Sequence, residues 1–219
     1  RIVTFGRADG ADVRALEVMR VAAGQFVTAR VGERELSFTL SQPGAHWVSN
    51  ALAVLAAANA AGGDLGLAGL ALAELNGLPG RGERFFTDVA SGQALIIDES
   101  YNANPGSMRA TLAVLADEPG RHVAVLGEMR ELGDASAAYH AELAEPVLAA
   151  RVETTILVGE AMAPLARALE QKVNVVHVAD AAAAGRALQA ELRPGDAVLV
   201  KGSNGVGLSR VVATLRGGL

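Results

Sequence analysis

Residues 96–105 read Ile96-Ile97-Asp98-Glu99-Ser100-Tyr101-Asn102-Ala103-Asn104-Pro105, and the fold class turns on this stretch. Two β-branched residues close an apolar run that begins at Ala94. Polar groups follow at once, as they do where a buried parallel strand reaches the functional edge of its sheet. Asn104 and Pro105 read as a helix N-cap with proline at the first helical position, so a helix starts here. That capping needs no ligand, yet it leaves Asp98, Glu99, Tyr101 and Asn102 without a purpose. A carboxylate suits ribose hydroxyls, and the amides suit contacts to a substrate.

The same alternation recurs downstream. Strands are expected at 94–98, 122–126, 155–158, 173–178 and 197–200, and helices near 106–116, 136–150, 161–171, 181–192 and 207–215. Five β-α units in succession predict an α/β fold, a Rossmann-like doubly wound and mostly parallel sheet with helices on both faces. Ligands of such sheets gather beyond the carboxyl ends of the strands. That rule puts Asp98-Glu99-Ser100, Gly127-Glu128, Gly159-Glu160 and Lys201-Gly202-Ser203 on one edge.

Upstream the pattern differs. From Ile2 to Leu40 apolar residues alternate, as in Phe26, Thr28, Arg30 and Leu36, Phe38, Leu40, which predicts an antiparallel β-meander that Arg1–Phe5 enters directly. An Ala-rich helix over about 46–61 has almost no polar face, so packing on more than one side is expected. A second helix over about 67–76 leads into Leu78-Pro79-Gly80-Arg81-Gly82, which cannot continue a helix. A boundary and hinge are expected there, with domains at 1–80 and 81–219.

The chain has 219 residues, enough for two globular units. Its 51% hydrophobic and 20% charged composition excludes a disordered or low-complexity protein. A net charge of −5, with Lys172 and Lys201 the only lysines, argues against a nucleic-acid partner. With no cysteine there is neither a disulfide framework nor a thiolate site. No run approaches the ~20 apolar residues of a membrane span, and no signal peptide is visible. A cytoplasmic monomer without membrane insertion is expected. The absence of an initiator Met at Arg1 suggests a fragment of a longer protein.

Three further groups are candidates, each with a plain structural alternative. His46 and Asn50 stand four apart near a helix start and share a side, although a helical histidine is more often a surface or capping residue. Lys201-Gly202-Ser203-Asn204-Gly205-Val206-Gly207 is a strand-to-helix turn whose N–H groups could hold an anion. It lacks the G-x-G-x-x-G spacing and the acidic residue about 20 positions on, so it is equally a tight turn. Gly127-Glu128-Met129-Arg130-Glu131-Leu132-Gly133, with His140 beyond, is either a ligand edge or a solvated loop. No His, Asp and Glu set has zincin or EF-hand spacing, so no metal site made from this chain alone is expected. No G-x-x-x-x-G-K-[ST] occurs, so the chain alone is not read as a kinase or ATPase.

Taken in order, these motifs resemble the Mur ligase family. The resemblance runs through Gly44-Ala45-His46 with Asn50-Ala51-Leu52-Ala53, Gly80-Arg81-Gly82, Asp98 to Pro105 with Ser107-Met108, Val125 to Gly133, His140, and Val200-Lys201-Gly202-Ser203 with Gly207-Leu208. The run 100–105 is the most specific, because it marks the branch that adds D-Ala-D-Ala rather than a single amino acid. The resemblance implies the end of a central ATP-binding domain followed by a C-terminal Rossmann-like domain. It also implies an ADP-forming amide ligase of peptidoglycan precursor synthesis, with ATP and Mg2+, UDP-MurNAc-tripeptide and D-Ala-D-Ala as its partners. The Mg2+ ligands would lie mostly outside this chain, which alone would be inactive.

By the same resemblance Asn50 would contact adenine, Arg81 the terminal phosphate as the catalytic cation, and Glu99 the ribose, with His46 and Tyr101 beside the nucleotide. Asn102, Asn104, Glu128, His140, Lys201 and Ser203 would face the amine substrate. Two positions depart from the family pattern: Trp47 replaces a common Asn and offers a ring for stacking, and Glu99 replaces a common Asp and keeps its charge with a longer reach. Arg84 competes with Arg81 for the phosphate. The rival readings are a nicotinamide-dependent oxidoreductase domain and a non-enzymatic nucleotide-binding or interaction module.

Overall fold

The computed structural model describes residues 2–21, 24–75 and 77–217. Arg1 and Asn76, at the start of the expected first strand and the end of the expected second helix, lie outside them. The chain divides into two compact units, residues 1–76 and 77–219.

In the first unit β1 (Phe5–Gly6), β2 (Val13–Val21), β3 (Gly24–Val31) and β4 (Arg34–Leu40) form a sheet in that order. Strands β2 to β4 are the antiparallel meander. Strand β1 instead runs parallel to β2, a correction to the expected meander. The Asp12 carboxylate causes it by accepting from Thr4 N at 2.8 Å and Thr4 Oγ1 at 2.7 Å, which returns the chain beside its own start. The inward residues Val27, Ala29, Phe38 and Leu40 meet Val48, Leu52 and Leu55 of α1 (Ala45–Ala60) and Leu72 of α2 (Leu65–Ala73). Within this unit Ser49, Asn50 and Val54 of α1 are exposed, so the expected burial on several sides does not occur here. The buried Gln25 of β3 donates to the carbonyls of Gln42 and Gly44, at 2.8 and 3.1 Å, and so fixes the chain entering α1.

In the second unit β5 (Glu83–Val89), β6 (Gly92–Glu99), β7 (His122–Gly127), β8 (Val152–Val158), β9 (Asn174–Val178) and β10 (Ala197–Lys201) form one sheet in the order β5-β6-β10-β7-β8-β9. All pairs are parallel except β5 with β6. Strand β5 was not expected, and it begins directly after the glycine-rich stretch 78–82. Arg81 N bonds Leu78 O in a turn, and Glu83 opens the hairpin with β6. The Pro and Gly residues before Glu83 hide this strand's alternation in the sequence.

Alternate strand residues fill two cores. Ile97, Leu126, Leu157 and Leu199 pack with α3 (Pro105–Ala116), α5 (Ala144–Ala149) and α6 (Ala163–Leu169), while Ile96, Val125, Ile156 and Val198 pack with α7 (Ala181–Glu191) and α8 (Ser209–Arg216). The helix expected over 136–150 is broken into α4 (Ser136–Ala141) and α5. Pro146 has no N–H for the carbonyl of Glu142, which interrupts the helical ladder. Strand β10 lies between β6 and β7, and the chain leaves β6 toward α3 on one face and β10 toward α8 on the other. The carboxyl ends of β6 and β10 therefore flank a switch point, where open α/β sheets form their crevice.

Candidate active site

Strand alternation sends Asp98 and Glu99 to opposite faces of β6 at this switch point. On the α3 face Glu99 stands beside Lys201 of β10, its partner in register. Lys201 is only 2% exposed, and its Nζ lies 3.5 Å from Glu99 Oε2 and donates to Asn102 O at 2.9 Å. Burial raises the Glu99 pKa above its ordinary value, opposed by the Lys201 ammonium. Burial likewise lowers that of Lys201, opposed by the Glu99 carboxylate. Each partner resists becoming charged in the crevice, and each makes the charge of the other tolerable.

On the opposite face the Asp98 carboxylate is buried. Its Oδ2 accepts from Gly80 N at 2.8 Å, and its Oδ1 accepts from Ser100 N at 3.1 Å and Ser100 Oγ at 2.7 Å. Arg216 Nη2 of α8 is 3.7 Å from Oδ2, and the same guanidinium grips Glu83. Gly80 N and Gly82 N both bond to Asp98, the latter through its carbonyl at 2.9 Å, while Gly80 O accepts from Tyr101 N at 3.1 Å. Gly80 has φ +75°, and a Cβ there would fall 2.9 Å from Tyr101 Cβ, so this position demands glycine. Between the two glycines the exposed Arg81 lays its guanidinium over the Tyr101 ring, 4.0 Å from the centroid. Arg84 is bound elsewhere, with Nη2 2.5 Å from Glu118 Oε2 just beyond α3.

The remaining expected contacts separate into exposed and buried groups. Glu128 reaches the edge, and Gly159 lies so close that a Cβ on it would be 2.5 Å from Glu128 Oε2. Ser203 Oγ accepts from Arg130 N at 3.0 Å, and Ser203 N donates to Glu128 O at 3.2 Å, which knits the loops after β7 and β10 together. Asn102 is exposed, and its Oδ1 accepts from Ala103 N.

His140 and Lys201 were expected to face the amine substrate, and in the structure each has buried partners within the chain. His140 is fully buried, with Nε2 accepting from Met129 N at 2.9 Å and Nδ1 bonded to Ser136 O at 2.7 Å. Nε2 holds the loop that carries Glu128, while Nδ1 is tied to the first residue of its own helix. Lys201 is tied to Glu99 and the Asn102 carbonyl in the same way. Sequence reasoning missed the work of Asp98 and Arg216, although the period-2 alternation of β6 already separates Asp98 from Glu99.

Asn104 is the N-cap of α3 in a capping box with Ser107, with Ser107 N to Asn104 Oδ1 at 2.8 Å and Asn104 N to Ser107 Oγ at 3.1 Å. Replacing Asn104 by Ala is expected to cost about 1 kcal/mol, and Asn104→Ser to restore most of it. Urea unfolding of the two variants checks this, and a loss above ~3 kcal/mol would show a wider role than capping.

In the first unit the exposed Asn50 lies one turn beyond His46 on α1, and the rings of His46 and Trp47 are 5.8 Å apart. Among the described residues no group of three His, Asp or Glu side chains converges to hold a metal ion, and no helix is long and apolar enough to cross a membrane.

Fold and edge together define a Rossmann-like α/β domain with its charged groups gathered at the switch point. Residues 80–204 match the family described as Mur ligase, glutamate ligase domain. The chain belongs to the Mur ligase family. It is 34% identical over 212 residues to the UDP-N-acetylmuramoyl-tripeptide–D-alanyl-D-alanine ligase of Escherichia coli K12, covering 95% of this chain and 45% of that protein. It is 37% identical over 210 residues to the ligase of the same name from Mycobacterium leprae, covering 86% of this chain and 40% of the relative. The chain thus spans less than half the length of these curated relatives. Among solved structures, MurF from Acinetobacter baumannii superposes with a TM-score of 0.81 at 29% identity, over 98% of this chain and 46% of that one. MurF from Thermotoga maritima shares the fold with a TM-score of 0.80 at 23% identity, over 98% of this chain and 48% of that one.

Proposed function

We propose that this chain is the C-terminal part of an ADP-forming ligase that joins D-Ala-D-Ala to UDP-MurNAc-tripeptide in peptidoglycan precursor synthesis. The names of the relatives support that choice of substrates. The observation that carries it is the arrangement at the β6 end, where Glu99 supplies a carboxylate beside Lys201 and Arg81, laid over the Tyr101 ring, supplies a cation. A nucleotide offers ribose hydroxyls to the first and phosphate oxygens to the second. In this reading Asn50 contacts adenine and His46 lies beside the base.

The reaction transfers the terminal phosphoryl group of ATP to the tripeptide carboxylate and releases ADP. The D-Ala-D-Ala amine then attacks the acyl carbon, loses a proton, and expels phosphate from the tetrahedral intermediate. Arg81 balances charge on the phosphate oxygens, where a fixed cation lowers the barrier most. Asn102 and Glu128, with the backbone amides around Ser203, face the amine substrate. In this reading the Mg2+ ligands lie mostly outside this chain. The family's phosphate-cradling loop has no match in these 219 residues, so turnover is read in the complete ligase.

Glu99→Ala tests the reading. It removes an acceptor for ribose hydroxyls, and the KM for ATP is expected to rise about 10- to 100-fold, with the constant for D-Ala-D-Ala unchanged. An unchanged ATP constant, with the loss confined to D-Ala-D-Ala, would place Glu99 in the other site.

A further inference from the structure

We infer that Asp98 is the positioning residue for Arg81, holding both flanks of the Gly80-Arg81-Gly82 turn so that the guanidinium stays over Tyr101. This deepens the role assigned to Arg81 above and rests on it.

The argument begins with the turn itself. Gly80 and Gly82 have φ of +75° and +84°, and neither has a side chain to anchor the segment. Among the described bonds that tie it to the end of β6, Gly80 N ends on the Asp98 carboxylate and Gly82 N on the Asp98 carbonyl. A third, Tyr101 N to Gly80 O, starts from the loop that Asp98 also holds through Ser100. One buried carboxylate therefore couples the segment carrying the cation to the segment carrying the ring beneath it. Its two oxygens accept three hydrogen bonds, two of them from backbone N–H groups that can only donate.

Asn at this position keeps the shape and loses that property. Its single carbonyl oxygen can face Gly80 or Ser100, and its NH2 must then point at a donor on the other side. One buried backbone N–H is left unsatisfied, which is costly enough to shift the turn. A displacement of about 1 Å in a group aligned on a transferring phosphoryl is worth roughly 100-fold in rate.

The first measurement uses this 219-residue chain without turnover. Arg81 side-chain protons lie over the Tyr101 ring, so their NMR signals are shifted by its ring current. Asp98→Asn is expected to return them toward free-arginine positions, while Ser100→Ala, which spares the Gly80 bond, is expected to leave them shifted. If Asp98→Asn does not fold, Asp98→Glu serves instead, because its longer stem moves the carboxylate away from Gly80. Unchanged Arg81 shifts in the folded variant overturn the proposal.

The second measurement is a double-mutant cycle in the complete ligase. Asp98→Asn is expected to lower kcat roughly 10- to 100-fold. When combined with Arg81→Ala it should add almost nothing to the Arg81→Ala loss. Losses that multiply would mean Asp98 acts independently of Arg81, and the proposal falls. A harmless Arg81→Ala would defeat the phosphate reading instead, and the NMR result would still decide whether Asp98 places Arg81.

Discussion

Lys201→Met is expected to lower the unfolding free energy of the second unit by about 3–5 kcal/mol, because it leaves the Glu99 carboxylate at the crevice without its buried counter-ion and the Asn102 carbonyl without its donor. Methionine matches the length of the lysine stem, so lost packing contributes little. The signs of the two pKa shifts show why the effect belongs to the broken pair and not to a strong attraction. The Glu99 pKa is raised above 4.5, so its share of stability falls as pH rises through that range. The Lys201 pKa is lowered below 10.5, so its share falls as pH drops beneath that value. Both shifts have burial as their largest cause, so each charged form carries a desolvation cost that the partner's charge offsets. Lys201→Met combined with Glu99→Gln removes both costs and is expected to return within about 1 kcal/mol of the parent. Urea unfolding read through Tyr101 and Tyr139, both in the second unit, isolates this signal from Trp47 in the first. A single-variant loss under ~1 kcal/mol would reduce Lys201 to a spectator.

Arg81→Ala is expected to lower kcat of the complete ligase by about 100- to 1,000-fold, the usual cost of removing one fixed charge or donor from a developing anion. Arg84→Ala is expected to leave kcat within about threefold, since its guanidinium is committed to Glu118. It should instead destabilise the chain by taking a cation away from Glu118, whose side chain is 4% exposed. The two arginines are three residues apart in sequence and compete on paper for one phosphate. Steady-state kinetics of both variants at saturating substrates separate them. A larger kcat loss in Arg84→Ala than in Arg81→Ala would reverse the assignment.

The local signals that the sequence determined by itself were those of short range. The capping box at Asn104, the buried runs of β6, β7, β8 and β10, and the polar residues after each of them are set by side-chain chemistry within a few positions. Together they fixed the parallel sheet and the edge where charged groups collect. The β5 strand escaped because its pattern is short and follows Pro79, Gly80 and Gly82, whose turn signals dominate any local reading. The break between α4 and α5 escaped because apolar periodicity continues across Pro146, even though the hydrogen-bond ladder does not.

Tertiary structure alone decided which polar residues at that edge face outward. Lys201 and His140 carry groups common in binding sites, and nothing in their neighbours along the chain announces that they are buried. Their partners lie across strands or one helical turn away: Glu99 is 102 residues from Lys201, and Met129 is 11 from His140. Asp98 likewise meets Gly80 across 18 residues. Periodicity records the face on which a side chain starts. What that side chain then touches depends on strand order and register, and those are settled by long-range packing of the two cores on either side of the sheet.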